Sequence, residues 1–594
     1  MKVRFLKKRK ALLVVLPYLV ASNLDKTKKG VRSFVAFPYG IMTLATYVNK
    51  HSKSKSECEV LDLNLIRNDD CAPAIADENV KNIGHRLIKN HIPESLGVSS
   101  EDEIGGISSS IDLALIRKIS DYQPDIIGFS MSFDVSYKYL NRLSNLVFEN
   151  FGKAVVQVVG GPAASTAYAE ILDRSRNIDA VCFSEGELGF TSLLDSEDVP
   201  EALLNDPWIT RETLYAKSHK AVVTEDLDEV IDIDYSVVPV SGYNMKEAFS
   251  PFTYRDENSK QFFIVTSRGC PFKCNFCAEP MFHGSGMRYA STEKVFEHVK
   301  KLVDDHNLSV LTIYDDQILM NKDRAKELFS LLSKLKIRIE MPNGVTLSYI
   351  DAELAQILKS AGVDTLFLAI ESGSKRVLKD IIKKPISFDR IKPTVKLLQD
   401  NGIFTSAFWI FGLPGETQED RDLSKKLIYE AGLDWSFFNY ASPLRGSALY
   451  DESIEKGWLP QKYQELGSID MTEYVLESPG IDKQSLELEM LSANLEFNFV
   501  KNHRFRIGDF HTSIRSFREV IDRHYDQPFA HFALARSLYF ENGEILNREI
   551  QTSLDDFRHT FQKNSQWRKF AYLLDADDFY NEHVNELIPL NRVS

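Results

Sequence analysis

The chain has little cysteine, with six residues in 594 and three of them (Cys58, Cys71 and Cys182) scattered. So few thiols exclude a disulfide-stabilised fold and favour a reducing, cytoplasmic setting. Basic charge is not in surplus either, because the net charge is −14 at pH 7, which argues against a general nucleic-acid-binding surface. No apolar run reaches the roughly 18–20 residues of a membrane span. We therefore expect a cytoplasmic protein of about two to four domains, with no membrane span and no nucleic-acid partner.

Residues 1–205 alternate short apolar runs with amphipathic stretches. Apolar strands separated by helices indicate a doubly wound (Rossmann-like) parallel α/β sheet covered on both faces. The first run, Ala11–Leu16, follows basic residues and so imitates a signal peptide, but a strand ended by Pro17 agrees with the fold, and we predict the strand. The other predicted elements are strands over Cys58–Leu63, Asp125–Ser130, Ala154–Val159 and Asp179–Phe183, and helices over Ile41–His51 and Val135–Phe151.

A compact cysteine motif lies near the middle of the chain, in SRGCPFKCNFCAEP. Cys270, Cys274 and Cys277 have the spacing C-x3-C-x2-C, and no fourth cysteine follows. Four thiolates would close an iron–sulfur cubane as an electron carrier, whereas three leave one iron open to another molecule. The alternatives are a zinc site with His283 as a fourth ligand, or three unrelated thiols.

This motif, with the aromatic Phe276 before its last cysteine, resembles the signature of the radical SAM superfamily. The resemblance implies a [4Fe-4S] cluster as a metal site on the three cysteines and S-adenosylmethionine bound at the open iron. It also implies reductive cleavage of S-adenosylmethionine to a 5′-deoxyadenosyl radical, with the electron coming from an external donor of the flavodoxin or ferredoxin type.

Residues 256–460 show the strand–helix repeats of a partial (β/α)6 barrel of the TIM type, in which chemistry lies at the carboxyl ends of the strands. The predicted strands are Phe262–Thr266, Val310–Tyr314, Arg338–Met341, Thr365–Ala369, Thr405–Phe411 and Asp434–Asn439. The predicted helices are Ser291–His306, Lys322–Leu335, Asp351–Ala361, Phe388–Asn401 and Thr417–Ala431.

Distinctive residues follow these strands, and the pieces IESGS and FGLPGET resemble the cobalamin-dependent subclass of the superfamily. The resemblance implies that these residues shape the S-adenosylmethionine pocket. The implied contacts are Phe276 and Ala278 at the adenine, Asp315 near an amino group, Asn343, Glu371 and Ser372 at the methionine moiety or ribose, and Gly412, which permits close approach.

Several of these residues also have simpler interpretations. Glu371 and Glu416 fit carboxylates at helix N-termini, where they would face the positive end of the helix dipole. Asp315 and Asp316 fit a solvated turn.

The N-terminal domain resembles the cobalamin-binding domain that precedes the barrel in this subclass, in FPYGIMTLATYV, EVLDLN, PDIIGFSMS, VVGGPAAS and FSEGE. The motif D-x-H-x-x-G, whose histidine binds cobalt in other cobalamin proteins, is absent. The subclass generally lacks this motif too, so its absence agrees with the resemblance. A doubly wound domain that has lost cobalamin, or binds another ligand, is the alternative. The implied cobalamin contacts are Tyr39, Gly40, Ser130, Ser132, Gly160, Gly161, Pro162, Glu185, Gly186 and Glu187.

The remaining segments carry weaker patterns. Residues 206–255 lack periodicity and are expected to be a connector, and residues 461–594 are expected to form a mostly α-helical C-terminal domain. We predict a helix over Asp482–Phe497 with Asp482 as its N-cap, and a helix pair over Ser513–Tyr525 and Pro528–Glu541. This domain either caps the barrel or holds a substrate or partner.

The resemblance implies methylation of an unactivated carbon, or of phosphorus, in a small-molecule or peptide substrate. Cobalamin-dependent cyclisation or rearrangement, and hydrogen abstraction without cobalamin, are the alternatives. A tRNA methylthiotransferase would need three further clustered cysteines and a basic C-terminal module, which the sequence lacks. A non-enzymatic sensor would not need an iron with an open position.

Overall fold

The computed structural model describes residues 7–17, 37–65, 101–216, 218–243, 259–469, 471–543, 547–575 and 577–585. Cys71 lies outside these ranges. Within them, none of the helices combines the length and the apolar character that crossing a bilayer requires.

The N-terminal domain is a six-stranded sheet with helices on both faces. Its strands are β1 Lys10–Val15, β2 Glu57–Asp62, β3 Ile126–Ser130, β4 Val156–Gly160, β5 Ala180–Cys182 and β6 Trp208–Ile209. Its helices are α1 Tyr39–His51, α2 Glu101–Tyr122, α3 Tyr137–Phe151, α4 Pro162–Thr166, α5 Tyr168–Arg174, α6 Glu187–Asp195 and α7 Val199–Ala202. The strand order is β2-β1-β3-β4-β5-β6, and only β6 is antiparallel to its neighbour.

All five predicted strands of this sheet are confirmed. In β1, Leu12 and Val14 enter one apolar cluster and Leu13 and Val15 enter another, so each face of the strand has its own core. This burial on both faces explains the continuous apolar run. Helices α2, α4, α5, α6 and α7 lie beyond the named predictions. So does β6, which adds a strand from within the predicted connector, so that the sheet extends past residue 205.

The central region holds the repeated strand–helix units. Its strands are β7 Gln261–Ile264, β8 Ser267–Arg268, β9 Arg288–Tyr289, β10 Val310–Ile313, β11 Arg338–Glu340, β12 Thr365–Glu371, β13 Phe404–Phe411 and β14 Trp435–Tyr440. Its helices are α8 Pro280–His283, α9 Thr292–His306, α10 Lys322–Leu332, α11 Ala352–Ser360, α12 Ile391–Asp400, α13 Gln418–Ala431 and α14 Ala448–Glu455.

The six predicted strands and five predicted helices of this region are confirmed within a few residues at their ends. Strands β7, β10 and β11 form one parallel sheet and β12, β13 and β14 form another. A parallel bridge between Val345 and Leu368 joins the two sheets, so six parallel strands follow one another in chain order. Their carboxyl ends therefore lie on one side.

The C-terminal region is helical, and its residues 483–500 cover the open edge of β14. Its α-helices are α15 Lys483–Leu495, α16 His503–Arg506, α17 Phe510–Arg523, α18 Pro528–Asn542 and α19 Arg548–Lys563. The side chain of Asn498 accepts from the Ser436 N–H (2.8 Å) and donates to the Ser436 carbonyl (2.9 Å), which satisfies an edge strand that would otherwise expose its polar backbone. The predicted N-cap is confirmed, because the Asp482 carboxylate accepts from the Ser485 N–H at 2.8 Å.

Candidate functional site

The three cysteines lie on a loop between the short antiparallel strands β8 and β9. Gly269 precedes Cys270 with φ +95°, and a Cβ placed there would meet the carbonyl oxygen of Gly286 at 2.2 Å. Only glycine fits such a crossing of two backbones. The base of the loop is therefore closed tightly just before its first cysteine.

The three thiols are free and close enough to influence one another. Burial raises the pKa of Cys270, raises that of Cys274 to about 11 and raises that of Cys277 to about 12. Bound iron supplies the positive charge that stabilises thiolates in such a place. Among the described residues, no three His, Cys, Asp or Glu side chains are arranged to hold a single ion. A cubane places each cysteine on a different iron, so the donor set fits a cluster better than a lone metal ion.

The middle of the cysteine loop is fixed by backbone hydrogen bonds to two helical segments. The N–H of Asn275 donates to the Ile382 carbonyl (3.0 Å), and the N–H of Leu449 donates to the Asn275 carbonyl (2.8 Å). These contacts tie the loop to the segments that follow β12 and β14. Phe276 is half-buried against the core and Ala278 is buried, so both predicted adenine contacts lie on this anchored loop.

Asp315 fixes the approach to the cysteine loop. Its carboxylate accepts from the Thr266 N–H (2.6 Å), the Thr266 hydroxyl (2.7 Å) and the Ser267 hydroxyl (2.6 Å). Asp315 is buried, and burial raises its pKa, so the interpretation as a solvated turn is wrong for this residue. Asn343, which follows β11, is exposed and donates to the Tyr314 carbonyl (2.6 Å).

A buried ion pair lies beside the second cysteine. The Lys384 ammonium is 2.8 Å from the Glu371 carboxylate, and both side chains are buried. Burial raises the pKa of Cys274, and the nearby positive charge of Lys384 partly offsets that rise, which places the pair next to the cluster site. Glu371 has φ +69°, a strained conformation that surrounding structure must impose and that is typical of ligand sites. Lys384 was not predicted, because it is one of two adjacent lysines before Pro385 and nothing local distinguishes it from Lys383.

The residues after Glu371 pack against α13. Ser372 is fully buried, the N–H of Gly373 donates to the Ser424 hydroxyl (2.8 Å), and a Cβ at Gly373 would meet the Leu423 carbonyl oxygen at 2.5 Å. The Ser374 hydroxyl donates to Asp420 at 2.6 Å. The IESGS piece is thus a tightly packed turn, and the Ser372 side chain is enclosed by other residues of the protein.

Gly412 is enclosed rather than open. It has φ +89°, and a Cβ there would lie 2.6 Å from the ring of Tyr474, whose hydroxyl donates to the Gly412 carbonyl (2.9 Å). The Gly412 N–H donates to Glu416 at 2.7 Å, so this carboxylate caps a turn rather than the helix that follows. Burial raises the pKa of Glu416 to about 8.

The carboxyl edge of the N-terminal sheet is more open. Gly40, Ser132 and Pro162 are exposed, and Ser130 and Gly160 end β3 and β4. Neighbouring Gly161 has φ +107°, and a Cβ there would meet the Met131 carbonyl oxygen at 2.8 Å. The strand order reverses between β1 and β3, which is where ligands of doubly wound sheets bind.

Tyr39 reaches from this edge to the central region. Its hydroxyl lies 3.5 Å from the Val265 carbonyl oxygen, and burial raises its pKa to about 12.

Glu185 and Glu187, predicted as cobalamin contacts, face the central region instead of solvent. Glu185 pairs with Arg288 (2.6 Å) and with His283 Nδ1 (2.7 Å), and Glu187 pairs with Arg268 (2.7 Å). Gly186 lies between them. His283 Nδ1 is engaged by Glu185, its Nε2 lies 4.0 Å from Glu279 Oε1, and no group of three metal-binding side chains in the described part of the chain includes it. Neither arginine was predicted as a site residue, because neither lies at a fixed sequence spacing from its partner.

Comparison with known proteins agrees with this architecture. The family model "Radical SAM superfamily" matches residues 264–428, and "B12 binding domain" matches residues 80–194. The cytidylyl-2-hydroxyethylphosphonate methyltransferase of Streptomyces wedmorensis is 28% identical over 420 residues, which cover 65% of this chain and 77% of that protein.

Two solved structures share the fold. The radical S-adenosylmethionine methyltransferase TsrM from Kitasatospora setae, with cobalamin and a [4Fe-4S] cluster bound, has a TM-score of 0.54 at 13% identity, covering 94% of this chain and 100% of that one. The enzyme OxsB, with aqua-cobalamin and S-adenosylmethionine bound, has a TM-score of 0.56 at 13% identity, covering 97% of this chain and 81% of that one. The chain therefore combines a region that matches the radical SAM superfamily with a preceding region that matches B12-binding domains.

Proposed function

We propose that this enzyme is a cobalamin-dependent radical SAM methyltransferase acting on an unactivated carbon, or on phosphorus, of a small-molecule or peptide substrate. The observation that carries this proposal is the three-cysteine loop, which is held at the carboxyl ends of the central strands and directly against the N-terminal sheet domain. The relative from Streptomyces wedmorensis, itself a methyltransferase, supports the choice of reaction.

Cys270, Cys274 and Cys277 hold the [4Fe-4S] cluster in this proposal. When bound, the cluster supplies the electron that cleaves S-adenosylmethionine, and cobalamin supplies a methyl carrier. The protein fixes the cysteine loop through Asn275, which is buried. An external one-electron donor of the flavodoxin or ferredoxin type, and a cytoplasmic location, belong to the same proposal.

The Lys384–Glu371 pair is our candidate for the methionine end of S-adenosylmethionine. A zwitterionic amino acid presents a carboxylate and an ammonium, which match Lys384 and Glu371 respectively. Phe276 and Ala278 would contact adenine, and Asn343 would contact the ribose. Asp315, Ser372 and Gly412 would shape the pocket by holding its backbone, because their own polar groups are engaged within the protein.

For cobalamin, we propose the crevice at the reversal of strand order. Gly40, Ser132 and Pro162 offer exposed small residues there, and Ser130, Gly160, Gly161, Gly186 and Tyr39 line the same edge. A doubly wound sheet without a cobalt-binding histidine would hold the cofactor through these backbone and hydroxyl contacts.

The finer architecture is part of the proposal. We divide the chain into a cobalamin domain (1–205, with β6 added), a connector (206–255), a partial (β/α)6 barrel (256–460) and a helical domain (461–594). The six parallel strands in chain order support the barrel. Tyr474 of the helical domain closes over Gly412, which supports its role as a cap near the substrate.

The test is anaerobic turnover of the reconstituted protein with S-adenosylmethionine and a chemical reductant, with and without cobalamin. We expect 5′-deoxyadenosine in both cases, and S-adenosylhomocysteine only when cobalamin is present, because only methyl donation yields the latter. Deoxyadenosine without S-adenosylhomocysteine would instead favour cyclisation or rearrangement. Absence of both products would contradict the proposal.

A further inference from the structure

Five charged or titratable side chains, four of them buried, connect the N-terminal domain to the cysteine loop. We name them the interdomain cluster: Glu185 and Glu187 from the first domain, and Arg268, His283 and Arg288 from the second. The four Glu and Arg residues are each no more than 9% exposed. Buried charges persist only when they are paired and hydrogen-bonded, so these contacts are a built feature of the interface.

Both oxygens of Glu185 are fully used. Oε1 accepts from His283 Nδ1 (2.7 Å) and Arg288 Nη2 (2.6 Å), and Oε2 accepts from the Thr224 N–H (3.0 Å) and Arg288 Nη1 (3.0 Å). Arg268 Nη1 also lies 3.0 Å from Oε2. These partners hold the pKa of Glu185 well below its usual range, so the carboxylate is charged and has no oxygen left for a ligand.

The two arginines are at the base of the cysteine loop. Arg268 in β8 and Arg288 in β9 are direct partners in the register of this two-stranded ladder. Like charges placed opposite each other destabilise a strand pair. Glu185 lies against both arginines and Glu187 neutralises Arg268, so the carboxylates of the other domain complete the base of the loop.

We propose that Glu185 and Glu187 are positioning residues that fix the cysteine loop against the N-terminal domain and so set the separation of the two cofactor sites. The inference rests on the proposed function for its catalytic consequence. The cofactor domains must keep a defined distance for a methyl group to pass between them, whereas cleavage of S-adenosylmethionine needs only the central region. Loss of the interdomain cluster should therefore affect these two outputs unequally.

The test compares the full-length protein with its Glu185→Gln and Glu187→Gln variants in two assays. Hydrogen exchange of the protein without cofactors should rise in residues 268–290 and leave α10 unchanged. In the reconstituted protein, methyl transfer from S-adenosylmethionine to added cobalamin should fall by about tenfold or more, since small displacements of reacting groups are costly. Formation of 5′-deoxyadenosine should fall by less than about threefold, because its groups stay together.

Asp577→Asn is the matched control, because it breaks a buried pair with Arg536 far from this interface. It should change neither residues 268–290 nor the ratio of the two outputs. If a glutamine variant does not fold, Glu187→Asp keeps the charge while shortening the side chain. Hydrogen exchange of residues 268–290 in this variant should exceed that of the unmodified protein.

Unchanged exchange in residues 268–290, or a parallel fall of both outputs, would overturn the inference. If the unmodified protein forms neither product, the proposed function fails, and hydrogen exchange alone then decides whether the interdomain cluster fixes the loop.

Discussion

The carboxyl ends of the two sets of parallel strands differ in how much room they leave. In the N-terminal sheet, Gly40, Ser132 and Pro162 are exposed at that edge. In the central region, Glu371, Ser372 and Gly412 are buried, and each is held by a neighbouring side chain. A large cofactor needs the open kind of edge, and a reactive site that must exclude water needs the closed kind.

Motif residues at the two edges therefore behave differently. At the open edge, small side chains leave the backbone accessible. At the closed edge, the motif residues IESGS and FGLPGE mostly bind one another and α13.

Removing a cysteine from the closed edge should have the largest effect. Cys274→Ala leaves two protein ligands, and we expect loss of bound iron and of S-adenosylmethionine cleavage while the N-terminal domain stays folded. Iron content and 5′-deoxyadenosine formation measure this. Cys182→Ala is the control, since that thiol is buried in β5 and should leave both quantities intact. Full activity of the Cys274 variant would remove the cluster assignment.

Breaking the buried pair next to Cys274 should come second. Lys384→Met leaves the Glu371 carboxylate buried without its partner, which costs about 3–5 kcal/mol of unfolding free energy. If the pair binds the methionine moiety, the affinity for S-adenosylmethionine should fall about tenfold or more. Denaturant titration and calorimetry check the two effects. Lys375→Met, which removes an exposed pair with Asp389, should change stability by less than about 0.5 kcal/mol. Unchanged affinity in the Lys384 variant would place S-adenosylmethionine elsewhere.

The closed edge should also show in the pH dependence of stability. Burial raises the pKa of Glu416 from 4.5 to about 8, so the folded chain retains a proton that the unfolded chain loses. Stability should therefore be full below the unfolded pKa and decrease as pH rises from 4.5 towards 8, by up to about 1.4 kcal/mol per pH unit.

Glu416→Gln keeps an acceptor for the Gly412 N–H but cannot ionise. The unfolding free energy of this variant should therefore decrease less between pH 4.5 and 8 than that of the unmodified protein. Denaturant titrations at several pH values measure this difference. An identical slope in both proteins would mean that Glu416 is ionised in the folded chain.

The open edge offers the smallest change. Gly40→Ala meets nothing within 4 Å and lies in α1, so stability should rise by about 1 kcal/mol, whereas cobalamin retention should fall if the cofactor approaches this backbone. Gly161→Ala has φ +107° and a backbone clash, so it should cost about 1–3 kcal/mol. Thermal unfolding measures the change in stability, and cobalamin content after desalting measures how much cofactor each variant retains. Full cobalamin retention in Gly40→Ala would move the proposed site away from α1.

Much of the fold was readable from the sequence. Alternating apolar runs predicted eleven strands, because burial on both faces of a parallel sheet demands them. Strands β6, β8 and β9 were not predicted, since each has only two residues and is too short to show a period. The cysteine spacing was equally readable, because one cluster requires its ligands on one loop.

The contacts between the domains could not be predicted from the sequence. Glu185 and Arg288 are 103 residues apart, and neither has a local pattern that names its partner. The same limit applied to Lys384, which reaches Glu371 only because the turn after β12 brings them together. Glu185 and Glu187 were predicted as cobalamin contacts partly because they lie at a strand end. In the structure both side chains pair with distant arginines of the central region instead of facing solvent.

The most direct measurement is anaerobic reconstitution of the full-length protein with iron, sulfide and hydroxocobalamin, followed by desalting and quantitation of both cofactors. We expect one cluster and one cobalamin to be retained per chain, with the cluster lost and cobalamin kept in Cys274→Ala. A cluster without cobalamin would contradict the methyltransferase proposal, and cobalamin without a cluster would contradict the assignment of the cysteine loop.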